Sequence, residues 1–457
     1  MKKRVFKKIS LLLILSLVAI ASFAYGIFSA TSQNTPFKII RAGHSKIFSK
    51  SESGPIRKGV WRVARNNARS PEISKEQQEA INKISTLPYL KGYNLAPDVD
   101  NVTIYDERLA YNGLNFIVTG DEPKASLMDM KGNVLHEWRK DFEDVWPKLI
   151  DLGGRPEHNE YWQHAEVLNN GDVLAVFAQF GLIKLDKNSN LLWAYKGRCH
   201  HDLFVAENGN VYVLTRKEKK KVNLRLESQS VRPRIFDDFI TILNPEGKEL
   251  RSISIVDCFL NSVYASLLEH VKVGAVDILH TNTMRLIDGK LVDTHPMFKK
   301  GHLLMSMREI HTIAVVDPVQ EKVTWALTGM WKYQHEPRLL ENGNLLLFDN
   351  RGNNGKSKIL EFDPLTQEVV WSYQGEPAEE FYSKIAGKCE RLPNGNTLIT
   401  ESTNGRVFEV TSEGKIVWEF INPERAGENN ELIAVLCNVV RLGPDQFDWL
   451  ELDSKTE

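Results

Sequence analysis

The feature that most constrains this chain is an internal repeat. One half of the unit is an apolar stretch carrying a tryptophan after a polar turn. It occurs as VLHEW ending at Trp138, LLWAY with Trp193, VTWAL with Trp325, VVWSY with Trp371 and IVWEF with Trp418. A degenerate copy, ELRSISI around Ile253, fills the gap. The other half opens on a turn followed by apolar residues, at Asn170-Gly171, Asn208-Gly209, Asn342-Gly343 and Asn394-Gly395, with Asp288-Gly289 as a weaker copy. Asn-Gly favours the positive φ angles of tight hairpin turns. Each unit therefore reads as a four-stranded antiparallel meander. The 46 and 47 residues separating Trp325, Trp371 and Trp418 match the size of one propeller blade.

Six such units predict an all-β protein, a six-bladed β-propeller over residues 96–457. A propeller must close its ring. The segment VVRLGPDQFDWLEL at 439–452 resembles the start of another unit and is expected to supply the inner strand of the first blade, beside LNFIVTG at 114–120. The stretches 217–233 and 259–277 read as insertions.

The formal net charge of -1 hides a segregation. Residues 1–69 hold fourteen Lys or Arg and one acid, Glu52, whereas the remainder carries 44 basic and 58 acidic residues. An acidic body argues against nucleic acid as a partner. Lys2, Lys3, Arg4, Lys7 and Lys8 precede an apolar stretch from Ile9 to Phe28, a charged region and hydrophobic segment of the kind that directs export. Its length suits a bilayer crossing, so residues 1–30 are expected to be a signal anchor. The positive-inside rule then places the propeller on the extracytoplasmic, periplasmic side. Residues 31–95 read as a basic juxtamembrane linker with a short helix near Ser74–Thr86, where Ser74 and Gln77 form a capping box. The cysteines Cys199, Cys258, Cys389 and Cys437 follow no CxxC pattern, which leaves their pairing open and offers no zinc ribbon.

Histidines recur just before the inner strands. His164, His201, His280 and His335 precede the turn glycine by seven, eight, nine and eight residues. One fixed place in each blade falls at one height around the axis, so four imidazoles are expected to converge on one funnel. His200 lies beside His201, and Arg308 at a strand end is a candidate to join them. A singly placed histidine is more often structural, whereas four in phase point to a site. Residues 352–357, GNNGKS, lack the spacing of a phosphate loop and do not precede a helix, so no nucleotide cofactor is expected.

These residues resemble the bacterial arylsulfate sulfotransferases. QHEPRLLENGNLLLFDN, the His-x-Asn of His280 and Asn282, the strand arginine Arg308 and the Trp-marked units carry the likeness, together with LPYLKGYNLAP and SLMDMKGNVLHEW. It covers roughly residues 85–450. The resemblance implies a six-bladed propeller that moves a sulfuryl group between phenols without the adenosine-based donor and without a cofactor. It implies that His335 is the nucleophile, with His280, Asn282, Arg308 and His201 as catalytic partners. His164, His200 and Asp349 are expected around the substrate, Asp349 orienting the site from behind. The chain departs from the family pattern in the longer loop between Asn282 and Arg308 and in Asp349-Asn350-Arg351, where Asp-Asn-Gly is common.

On this reading the partners are an aryl sulfate and a phenol, with the membrane held through the anchor. The residues leave two alternatives open. Clustered neutral histidines are good metal ligands, which suits a metal-dependent propeller hydrolase or lyase. A propeller without catalysis, presenting a binding face, is the other.

Overall fold

The computed structural model describes residues 59–63, 100–147, 160–222, 232–272, 274–375, 381–427 and 430–450, all within the unit Arg57–Glu457. The expected anchor at 1–30 and the expected helix near 74–86 lie outside them. Among the described residues no helix is long and apolar enough to cross a membrane.

The repeat folds as the hydrophobic pattern requires. Middle strands such as Val173–Phe177, Thr312–Asp317 and Arg406–Val410 are buried at every position. Outer strands such as Leu191–Lys196 alternate between half-buried and exposed. Continuous burial means that these strands are covered on both faces. Each meander is therefore packed between two others. Antiparallel four-stranded sheets follow one another along the chain at 164–196, 199–254, 281–328 and 335–373. The sheet at 388–421 gains a fifth strand from Asn101–Tyr105, which pairs with Ile416–Ile421. The sheet at 114–139 takes its first strand from Leu436–Leu442 at the far end of the chain. A separate three-stranded sheet joins Trp61–Val63, Leu432–Ala434 and Arg425–Ala426.

Six principal hydrophobic clusters fill the spaces between consecutive sheets. One of them packs Met128 and Met130 of the 114–139 sheet against Trp418 and Phe420 of the 388–421 sheet, so the series of sheets returns on itself. This closed succession is a β-propeller. Closure uses pairing and charge together. Val440 lies opposite Phe116, and Leu442 opposite Leu114. Between them the fully buried Arg441 donates to Asn115 Oδ1 at 2.7 Å and to Glu409 Oε2 at 3.1 Å.

The recurrent tryptophans sit on the fourth strand of their meanders, and four of them fasten one sheet to the next. Trp138 Nε1 donates to Gly171 O, Trp193 to Pro245 O, Trp371 to Ser412 O and Trp418 to Met130 O, each at 2.8–2.9 Å. The indole offers both a large apolar body and one donor at its edge, which suits a side chain that must pack and also tie down a turn.

The Asn-Gly turns differ from expectation in type. Only the glycine takes positive φ, as at Gly171 (+85°), and its N–H donates to the carbonyl three residues back, Leu168 O at 2.9 Å. This is a type I turn closed by a glycine bulge. The asparagine serves through its side chain: Asn170, Asn208, Asn342 and Asn394 each accept the N–H two residues on at 3.0–3.1 Å. The stretch 217–233 is also more regular than expected at its edges. Strands Val211–Val222 and Arg232–Leu243 prolong the meander on either side of it.

Candidate active site

The first strands of successive sheets begin with the singled-out histidines. In three sheets the ladder slips near that point, between Cys199 and Leu203, Thr281 and Thr283, and His335 and Arg338. His201, His280 and Glu336 take φ of +56°, +50° and +52°. A bulge turns a side chain away from the strand's alternation. Here it frees imidazoles from the sheet faces. The His201 and His280 rings lie 4.8 Å apart, edge to face.

Each ring is held by its Nδ1. His280 Nδ1 is 2.6 Å from Asp277 Oδ2. Asp277 Oδ1 accepts from Arg216 Nη2 at 3.1 Å, and Arg216 Nε donates to Asp238 Oδ1 at 2.9 Å. Asp238 in turn stands 3.4 Å from His200 Nε2, and His200 Nδ1 is 2.9 Å from His201 Nδ1. One network thus runs from His280 back to His201. His335 Nδ1 is 2.7 Å from Asn350 Oδ1. The Asn350 amide donates to Ser383 O at 2.8 Å and to Ala386 O at 2.6 Å. Both N–H groups are spent there, so the atom facing His335 is the carbonyl oxygen, an acceptor only. His335 therefore carries its proton on Nδ1 and keeps a lone pair on Nε2.

The rings stand neutral. Burial pushes His335 down to about 3, with the Arg308 and His280 charges adding to it against the Asn350 contact. Burial also lowers His280, although Asp277 opposes it. His201 is held well below the usual range by burial and then by His280 and His200. Arg308 follows the strand Leu303–Met307, its N–H donating to His280 O at 3.3 Å and its guanidinium to Glu309 Oε1 at 2.5 and 3.1 Å.

A family model described as Arylsulfotransferase (ASST) matches residues 164–423, more than half of the chain, from His164 through the last outer tryptophan strand. The chain belongs to the arylsulfotransferase family. Arylsulfotransferase membership implies a sulfotransferase enzyme acting on aryl sulfates. No curated protein sequence matches the chain. Among solved structures, the chain is similar to a protein of unknown function from Bacteroides caccae, at 11% identity and TM-score 0.45, covering 71% of this chain and 99% of that one. It is also similar to a streptogramin B lyase, at 13% identity and TM-score 0.39, covering 74% and 94%. BamB from Moraxella catarrhalis aligns at 11% identity and TM-score 0.31, covering 75% and 86%.

In this chain the expected ring of four histidines is three. His201, His280 and His335 share one neighbourhood, whereas His164 belongs to a second polar cluster. His164 Nε2 lies 3.5 Å from Asp202 Oδ1. Asp202 Oδ2 accepts from Arg285 at 2.7 Å, and Arg285 also donates to Glu336 Oε1 at 2.5 Å. Lys388 Nζ, 3.6 Å from Glu336 Oε2, comes within 3.5 Å of His164 Nδ1. The contacts form a closed cycle drawn from five sheets, one residue further along the strands that carry His201 and His335. Burial, and then the Lys388 charge, hold His164 down to about 3.

Two other placements differ from expectation, those of His200 and Asn282. His200 and Asp349 are both fully buried, so His200 stands behind the site, the position expected for Asp349. Asp349 Oδ1 accepts the N–H groups of Lys332, Arg351 and Gly352. Asn282 donates to Gln334 O at 2.8 Å, which places the residue before His335. Sequence reasoning missed Asn350, Asp277, Asp202, Glu336, Arg285 and Lys388. The pairs His201-Asp202 and His335-Glu336, and Asp277 three residues before His280, were the available signals. All four cysteines are free thiols. Among the described residues no three His, Cys, Asp or Glu side chains are grouped closely enough to hold a metal ion.

Proposed function

We propose that this chain moves a sulfuryl group from an aryl sulfate ester to a phenol through a sulfohistidine at His335, on a six-bladed propeller. The observation that carries the reading is the Asn350 amide, which leaves a lone pair on Nε2 of a neutral, buried His335. A neutral imidazole is a competent nucleophile, and covalent catalysis divides one transfer into two easier steps.

In the first step Nε2 attacks sulfur, the S–O bond to the aryl group breaks, and the electron pair leaves with the phenolate oxygen. Arg308 faces the negative charge on the sulfuryl oxygens. The Nδ1 proton stays on the ring, because an amide oxygen does not take it. The intermediate is then a sulfoimidazolium, a better sulfuryl donor than the neutral sulfoimidazole. In the second step the acceptor phenol passes its proton to a neutral imidazole as its oxygen attacks sulfur, and the N–S pair returns to Nε2. His280 suits that role: Asp277 fixes its Nδ1 proton and stabilises the imidazolium that forms. His201 closes the far side of the same network. Lys2 to Lys8 and the apolar stretch after them support export and anchoring, with the propeller outside the cytoplasm.

The test offers 4-nitrophenyl sulfate and phenol to the wild-type protein and to His335→Ala. Nitrophenol release that rises with phenol concentration, with matching phenyl sulfate, supports transfer. Equal activity in the variant sinks the His335 assignment.

A further inference from the structure

Beside the histidines lies a cationic rim that the two steps above do not use. Its centre is Tyr333, two residues before His335, in a backbone conformation that tyrosine rarely adopts (φ +58°). Arg351 stacks its guanidinium 4.8 Å from the ring centroid. Lys272 Nζ lies 2.6 Å from the hydroxyl and 4.8 Å from the centroid.

The rim is tied to the machinery that holds His335. Arg351 follows Asn350 in the chain, its N–H donates to Lys332 O at 3.1 Å, and its Nε donates to Lys384 O at 3.3 Å. Lys384 follows Ser383, whose carbonyl fixes the Asn350 amide. Lys332 and Lys384 are both exposed. The acid in contact with this group is Glu309, whose carboxylate lies against Arg308 at 2.5 Å and Lys272 at 3.4 Å. Asp349 stands behind, fully buried and turned to backbone N–H groups. Among the described residues, Arg308, Lys272 and Arg351 thus gather on Tyr333 with one carboxylate, Glu309, in contact, and the exposed Lys332 and Lys384 adjoin them along the chain, in a body whose overall charge is acidic.

A single sulfate ester does not need so much charge. Arg308 already answers the sulfuryl group, and Arg351 is left over on the ring of Tyr333, with the exposed Lys332 and Lys384 joined to it through their backbone carbonyls. We infer that the aryl sulfate taken by this site carries a second anionic group on its ring, a carboxylate or a further sulfate. With sulfur at His335, the aryl ring lies along Tyr333 and the second anion meets the guanidinium of Arg351 with Lys332 and Lys384. A guanidinium offers a planar fork to such a group, and flanking lysines raise its local concentration.

This inference rests on the sulfotransfer reading, and one experiment separates the two. Phenol acceptor is held constant, and kcat/KM is measured for 4-nitrophenyl sulfate and for the same ester bearing a ring carboxylate. At low ionic strength the carboxylated ester is expected to be preferred by about tenfold. The preference shrinks as salt is added, and falls toward one in Arg351→Gln with Lys384→Gln. Lys332→Gln, changed alone at an exposed position, lowers the same ratio in part. Circular dichroism checks that each variant is folded. Turnover of both esters at equal kcat/KM by the wild-type protein overturns this inference and leaves the sulfotransfer reading standing. Turnover of neither ester overturns that reading, and this inference with it. A preference that survives both salt and the double substitution also overturns the assignment to this rim.

Discussion

Asn350 Oδ1 lies 2.7 Å from His335 Nδ1, and the amide that presents it is pinned by two backbone carbonyls. The pairing decides which nitrogen of His335 is nucleophilic and keeps a proton on the other. Asn350→Asp replaces an acceptor that cannot take this proton with one that can. The covalent intermediate should then form and return slowly, with steady-state turnover reduced by about a hundredfold. Rapid-quench mass spectrometry checks this: the variant is expected to accumulate a sulfurylated peptide containing His335. Unchanged turnover would remove Asn350 from the mechanism.

Loss of the His335 ring should lower transfer by roughly a thousandfold or more, because the covalent route disappears as a unit. His280→Gln should lower kcat more for poorly acidic acceptor phenols than for acidic ones, since a phenol that is already ionised needs no base. A parallel series of acceptor phenols measures the slope. An equal loss across the series would contradict the base role of His280.

Arg441 closes the ring of sheets through Asn115 and Glu409, all buried. Arg441→Ala leaves the buried Glu409 without its cationic partner, although the Tyr111 N–H and the Asn396 amide still donate to it, a change that costs about 3 kcal/mol. Urea denaturation followed by tryptophan fluorescence reads the loss. Arg441→Ala with Glu409→Gln should recover part of it.

Acid stability follows from the buried rings. Burial holds His164 and His335 down to about 3, so between about 6.5 and 3 the unfolded chain binds protons that the folded chain refuses. Their contribution is complete above 6.5 and is lost as pH falls through that window, at about 1.4 kcal/mol per pH unit per ring. Glu166 and Asp237 act in the opposite sense, because burial raises them to about 7 and about 6. They protonate first in the folded protein, and this offsets the rings until the unfolded carboxylates also protonate. Thermal melts are expected to decline gently from pH 6 to about 4.5, because burial also holds down His201 and His280 while two carboxylates offset only two rings, and to drop steeply below. Glu166→Gln removes one offsetting group, so its melting temperature should decline more steeply than that of the wild type between pH 6 and 4.5. A slope in that variant no steeper than the wild type's would contradict the assignment.

The fold was legible because a propeller repeats its instructions. The outer tryptophans, the turn glycines and the doubly buried middle strands recur with one period, and the pairing of Leu436–Leu442 with Leu114–Thr119 follows from the partial unit at the end of the chain. His201, His280 and His335 were legible for the same reason, since one phase in the repeat is one height around the axis. His164 has the same phase and a different fate: Asp202 and Lys388 claim both of its nitrogens, and a repeat pattern is blind to which neighbour claims a side chain.

What the sequence determined by itself was therefore the β-propeller architecture and the three histidines, His201, His280 and His335, that share one neighbourhood. Hydrophobic period and turn chemistry are local properties, and they are written in consecutive residues. Which nitrogen of His335 is basic, which histidines stand behind the site, and where the cations gather were decided only by the tertiary structure. Hydrogen bonds and burial join residues from different sheets, such as Asn350 with Ser383 and Arg216 with Asp277, and no spacing along the chain records them.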